Sequence, residues 1–183
     1  VIMSILHYLN TYFRHYLCKI KLRKMITTEL FVKMVIDRWH GSIANLNNIL
    51  NTLTDQQLQK EIAPGKNRGM YLLGHLIAVH DDMLILLDMG QKIFPKLFEP
   101  FIKQADKVAT QMPTVAELRK MWEKQNNHLE EKFKKLNPEE WFEKHTAVSE
   151  VDFAKEQFRN KLNIIITRTS HLQYHTGQIA LLK

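Results

Sequence analysis

Apolar residues recur at helical spacing along most of the chain. Leu30, Met34, Trp39, Ile43, Leu46 and Leu50 predict a first helix from about Thr28 to Leu53, capped by Thr27 or Thr28. A second run predicts a helix from about Arg68 to Met89, with Asn67 as N-cap and Gly90 just past its end. The third runs from about Val115 to Leu136, opened by a capping box of Thr114 and Glu117 and ended by Asn137-Pro138. Its outer stretch, "EKQNNHLEEKFKK", is charged and reads as solvated, and "PEEWFEKH" after it reads as a single short turn. The fourth begins at about Phe153 or Glu156 and runs to Leu182, burying Leu162, Ile165, Ile166, Thr169, Leu172 and Ile179.

Breakers fall between these runs. Pro64 and Gly65 interrupt "APGKN", and Pro95 and Pro100 punctuate "QKIFPKLFEP". No long β-alternation and no internal repeat appears. The expected fold is therefore all-α, a four-helix bundle. The connection between the second and third helices is long enough to cross over, so a simple up-down-up-down order is not required.

Composition narrows this picture. At 183 residues, one domain that buries its own core is expected. Cys18 is the only cysteine, so no internal disulfide forms, which fits a reducing, cytoplasmic setting. No apolar run reaches the roughly 20 residues of a transmembrane helix, and no membrane is expected for the body. The net charge is +7, but Arg14, Lys19, Lys21, Arg23 and Lys24 crowd into residues 1–24, which hold no acid. The rest carries 21 basic and 19 acidic side chains. No basic face of the kind nucleic acids need is evident, and no nucleic-acid partner is expected. The arm "VIMSILHYLNTYFRHYLCKIKLRK" is apolar first and basic afterwards, the reverse of a secretory signal. The expected domain is 25–183, with Met25 the native start and residues 1–24 an extension outside the fold; the alternative is an amphipathic arm on a membrane or partner.

Chemistry concentrates in "HLQYHTGQ", residues 171–178. His171 and His175 sit about 40° apart around a helix, so both imidazoles reach one point in front of it. Such a pair can hold a metal through neutral nitrogens, yet it is also common among surface histidines. A zinc-peptidase helix needs Glu directly after its first histidine; Leu172 stands there and disfavours that reading. A catalytic metal commonly takes three protein ligands and keeps one position open. The best third candidate is His75 in "MYLLGHLIAVH", on a stripe with Tyr71, Leu72, Val79 and Leu86. Buried there it needs a partner, and a backbone carbonyl or a metal would serve equally.

Gly74 and Gly177 flank the candidates, and close approach of a neighbouring helix is one reason to tolerate glycine at a cost of roughly 1 kcal/mol each. Asp82 lies two turns beyond His75, too far to orient it but able to face the same cavity. Gln178 lies one turn past His175 and can support a ligand. Ordinary polar satisfaction is the simpler reading of both. His7, His15, His40, His80, His128 and His145 read as structural or surface histidines.

"YLLGHLIAVHDDMLILL" and "SHLQYHTGQIALLK" resemble the DinB-like superfamily of DNA-damage-inducible and YfiT-like metalloenzymes. Its pattern is a histidine in the apolar second helix and H-x3-H-x-G-Q on the fourth, and the resemblance spans most of residues 25–183. It implies a four-helix bundle with a crossover connection, often homodimeric. It also implies a divalent metal, usually zinc or nickel, on three histidines that by position are His75, His171 and His175. Some such proteins resemble S-transferases that use bacillithiol, mycothiol or glutathione; others look like hydrolases with an activated water. The expectation is a metal-dependent enzyme acting on a small molecule, by thiol transfer first and hydrolysis second. The rival is a non-catalytic stress-response or interaction bundle that a metal only stabilises.

Overall fold

The structure is a computed structural model that describes residues 2–183, with side chains described from Arg14 onward except at position 24. The side chains at 1–13 and 24, part of the arm expected over 1–24, lie outside the described residues. Among the described residues the fold is all-α, with only two isolated β-bridges, Glu61 to Arg68 and Lys144 to Asn160.

Helix α1 spans Ile2–Thr52 without a break at the expected cap. Thr27 donates its hydroxyl to the Arg23 carbonyl at 2.9 Å, the habit of a threonine inside a helix. Leu30 and Met34 are exposed, whereas Trp39, Leu46 and Leu50 are buried. Five residues separate Met34 from Trp39, a rotation of about 140°, so the expected stripe mixed two faces. A short α2, Asp55–Leu58, follows behind a capping box at Thr54.

Helix α3 spans Gly69–Leu86, with Arg68 rather than Asn67 at its N-cap. Asp88, not Gly90, takes the left-handed position just past the end, at φ 58°. The amides of Asp88 and Met89 close back on the carbonyls of Ile85 and Leu84, satisfying the last turn. By length and composition α3 could cross a bilayer, but 78% of it is buried inside the protein.

Helix α4, Val115–Phe133, opens on the expected Thr114–Glu117 capping box and stops short of Leu136. Residues Pro138–Phe142 form a 3-10 turn, and α5 covers Glu150–Lys155. Helix α6 begins only at Lys161, because Asn160 caps it through the Asn163 amide, and runs to Ala180. Its buried face is as expected except at Ile166, which is exposed.

Cross-helix bonds give the directions. Trp122 donates to Asn47, and Arg119 binds the Leu50 and Leu53 carbonyls that end α1, so α4 runs antiparallel to α1. Gln173 donates to Ser42 while Phe31, eleven residues earlier on α1, shares a cleft with Ile166, so α6 runs parallel to α1. Leu182 reaches Gly69 while His171 reaches His75, so α6 runs antiparallel to α3. Consecutive long helices α3 and α4 therefore point the same way, and the chain between them must travel back.

It travels back along α3 itself. Asp81 accepts the amides of Ile93 and Phe94, both at 2.8 Å. His75 then meets the Phe101 carbonyl, Tyr71 donates to the Gln104 carbonyl, and Arg68 grips Asp106 through a forked pair. Positions fall on α3 as they rise on the segment, so the return strand is pinned antiparallel over the helix. A 3-10 turn at Pro95–Leu97 and a π-helical turn at Glu99–Lys103 shape it.

His80 is fully buried between Trp39 and Trp122, with ring centroids 4.7 and 5.2 Å away. Burial, with Arg168 and His171 nearby, holds its pKa down at about 3. Unfolded, the ring titrates near 6.5. Stability from the neutral ring is therefore complete above pH 6.5 and falls as pH drops from 6.5 towards 3. Urea midpoints at pH 7 and pH 5 should differ markedly in the natural chain and by less in His80→Gln, where the lowered His171 and His175 still contribute. An unchanged pH slope in the variant would contradict the assignment.

Candidate metal centre

The return segment places the first histidine. A Cβ on Gly74 would overlap the Phe101 ring, so only glycine lets that ring lie against α3. With the ring seated, the Phe101 carbonyl stands 2.8 Å from His75 Nδ1. That carbonyl only accepts, so Nδ1 carries the proton and Nε2 presents a lone pair. The expected close approach at Gly74 is thus real, though a π-helical turn makes it rather than a long helix. Gly177 has nothing within 4 Å of its missing Cβ, and close packing does not explain it.

Helix α6 supplies the other two. His175 Nδ1 lies 2.7 Å from Gln178 Oε1, which likewise holds the proton on Nδ1 and leaves Nε2 free. Gln178 is steadied in turn by donating to Tyr174 at 3.2 Å. His171 Nε2 stands 3.3 Å from His75 Nε2 and 3.0 Å from His175 Nε2. The three rings offer ligand atoms within 4.8 Å of one another, and all three are half-buried.

This arrangement fits a metal. One proton on His171 Nε2 can serve only one of its two neighbours, so at least one pair of lone pairs would face each other unaided. Nitrogens about 2.0–2.1 Å from a tetrahedral cation sit about 3.3 Å apart, close to the separations seen. Protonation is also disfavoured. Burial, then the charges of His175 and His75, lower His171 to about 4, and burial lowers His175 despite its bond to Gln178. Neutral imidazoles are the form that ligates.

The surroundings separate the other candidates. Asp82 ion-pairs with Lys92 and does not touch the three rings. His40 pairs with Glu130, far along α4, and His80 sits in the core. Two partners had no sequence signal of their own. The Phe101 carbonyl is backbone, visible only once the return path is known. Arg168 stands three residues before His171 and seven before His175, on one face of α6, half-buried. A cavity of about 550 Å³ between α1 and α4 is lined by Trp39, Asn47, Arg119 and Trp122, and none of the three histidines borders it.

The family model of the DinB superfamily matches residues 38–179, and the chain belongs to that superfamily. No curated protein matches it. The matched stretch contains all three histidines.

The two glycines should respond oppositely to the same change. Gly74→Ala should cost about 1–3 kcal/mol in urea unfolding, because the Phe101 ring must move. It should also erase the slowly exchanging His75 Nδ1 proton from ¹⁵N spectra. Gly177→Ala should be neutral or stabilising by up to roughly 1 kcal/mol. Equal losses at the two sites would contradict the packing described.

Proposed function

We propose that this DinB superfamily member is a metal-dependent enzyme whose His75, His171 and His175 hold one divalent cation, zinc or nickel. Its reaction is the transfer of a low-molecular-weight thiol to a small-molecule substrate, carried out by a homodimer in the cytoplasm. The observation that carries this reading is the meeting of three imidazole edges, two of them with tautomers set from behind by Phe101 and Gln178. A bound cation would act as a Lewis acid, lowering the pKa of a thiol or water in its open position.

The chain's own residues do the rest. The Phe101 carbonyl and Gln178 lock two rings in the orientation ligation needs and raise their basicity. Burial keeps His171 and His175 neutral near pH 7, so protons do not compete for their lone pairs. Among the described residues no carboxylate joins the three histidines. The centre therefore keeps the full charge of its cation and favours an anionic partner.

That absence of a base separates the two chemistries. A thiol has an ordinary pKa near 8.5 and needs only a small shift to ionise at neutral pH. Water starts from about 15.7 and profits more from a carboxylate that takes its proton. The nearby carboxylate, Asp82, is already held by Lys92. Thiol transfer suits this set of side chains better than hydrolysis.

Chain purified without a polyhistidine tag should carry about one divalent metal per molecule, and His171→Ala should hold less than about 0.2 after reloading. Thiol transfer to electrophilic test substrates should vanish with a chelator and return with zinc or nickel. A natural chain that stays metal-free after reloading sinks the proposal.

A further inference from the structure

We infer that Arg168 is the binding site for a carboxylate of the small-molecule substrate, placed beside the three-histidine centre; this rests on the catalytic reading above. Four arginines are half-buried: Arg68, Arg119, Arg159 and Arg168. The first three have partners. Arg68 forks onto Asp106, Arg119 binds Asp55 and the end of α1, and Arg159 pairs with Glu156. Arg168 has no hydrogen bond or ion pair among the described residues, and its Nε is buried and unpartnered. A guanidinium N–H withdrawn from water without an acceptor is costly, so an acceptor is expected there in the working protein.

A second donor points the same way. His171 Nδ1 is also buried without a partner, one turn further along the same face of α6. Once Nε2 gives its lone pair to a cation, that Nδ1 carries a proton to donate. His75 and His175 have acceptors in this position; His171 has none. Two unsatisfied donors on one face of α6, three residues apart, call for an acceptor with more than one lone pair.

Charge selects the kind of acceptor. The charge of Asp82 on α3 is felt by Arg168 on α6, but its ion pair is with Lys92. Lys92 faces both Asp82 and Asp81, and Asp81 is taken up by the Ile93 and Phe94 amides, so neither carboxylate bonds Arg168. The planar fork of a guanidinium matches a carboxylate through two parallel bonds, which an ammonium cannot supply. A substrate or thiol bearing a carboxylate would thus be held at Arg168 while its reacting end reaches the histidines.

The test uses the full chain loaded with zinc, titrated with 3-mercaptopropionate and with 2-mercaptoethanol, and the metal-free chain titrated with propanoate. The Arg168 Nε–H signal in ¹⁵N spectra reports each binding event. Wild type should prefer the carboxylate-bearing thiol by about ten-fold or more, and propanoate should shift the Nε–H signal. Arg168→Gln should bring the two thiols within about two-fold, and Arg168→Lys should keep only part of the preference, with zinc content unchanged in both. Equal thiol affinities in wild type, a preference that survives Arg168→Gln, or an Nε–H signal unmoved by propanoate would each overturn the inference. If zinc fails to load, the metal reading falls by itself and the propanoate titration still decides Arg168. If Arg168→Gln does not fold, the wild-type Nε–H response decides.

Discussion

The contact on which the site depends is the Phe101 ring lying on Gly74. It costs the helix its best packing residue at that position, since glycine is a poor helix former. In return the backbone behind that ring comes close enough for a carbonyl to meet His75. The return segment is held over α3 at four further residues, Asp81, Tyr71, Arg68 and the Asp106 it grips. Around Asp106, burial pushes the carboxyl up, but the Arg68 bonds and charge outweigh it and keep the group ionised. At Asp81 burial wins over two amides and raises the pKa. The clamp that orients the first histidine is thus made mostly of groups that only fit this one path.

The same path explains the topology. Helices α3 and α4 point the same way only because the chain retraces α3 before α4 begins. A short connection would have made them antiparallel, and no carbonyl would have passed over position 75. Crossover and ligand orientation are therefore one structural feature, seen at two scales.

How much of this could be read from residues alone follows the range of each interaction. His171 and His175 were legible because their relation is local, set by helical pitch. Thr114 and Glu117 were legible for the same reason. His75 was reached through its place on an apolar stripe, and Gly74 beside it signalled a close approach whose partner stayed hidden. Gly177 carried the same signal without the same cause. The start of α6 was misplaced because Ser149 and Asn160 both cap, splitting one expected helix into two. The end of α3 was misplaced because an aspartate took the left-handed position where a glycine two residues later looked better suited. Phe101 and Arg168 were out of reach. One acts through its backbone, and the other matters because it lacks the partners that every other half-buried arginine has.

That contrast bears on how the core is organised. Several long polar side chains are closed off within the protein: Trp122 on Asn47, Arg119 on the end of α1, Lys161 on Glu143. Others are buried without a hydrogen-bond partner, Gln125 on α4 and, on α6, Arg168 Nε and His171 Nδ1. On α6 the two unpartnered donors stand beside the converging imidazoles, and a donor not bonded within the protein stays available to an outside acceptor. The helix that supplies two candidate ligands thus also carries two unpartnered donors next to them.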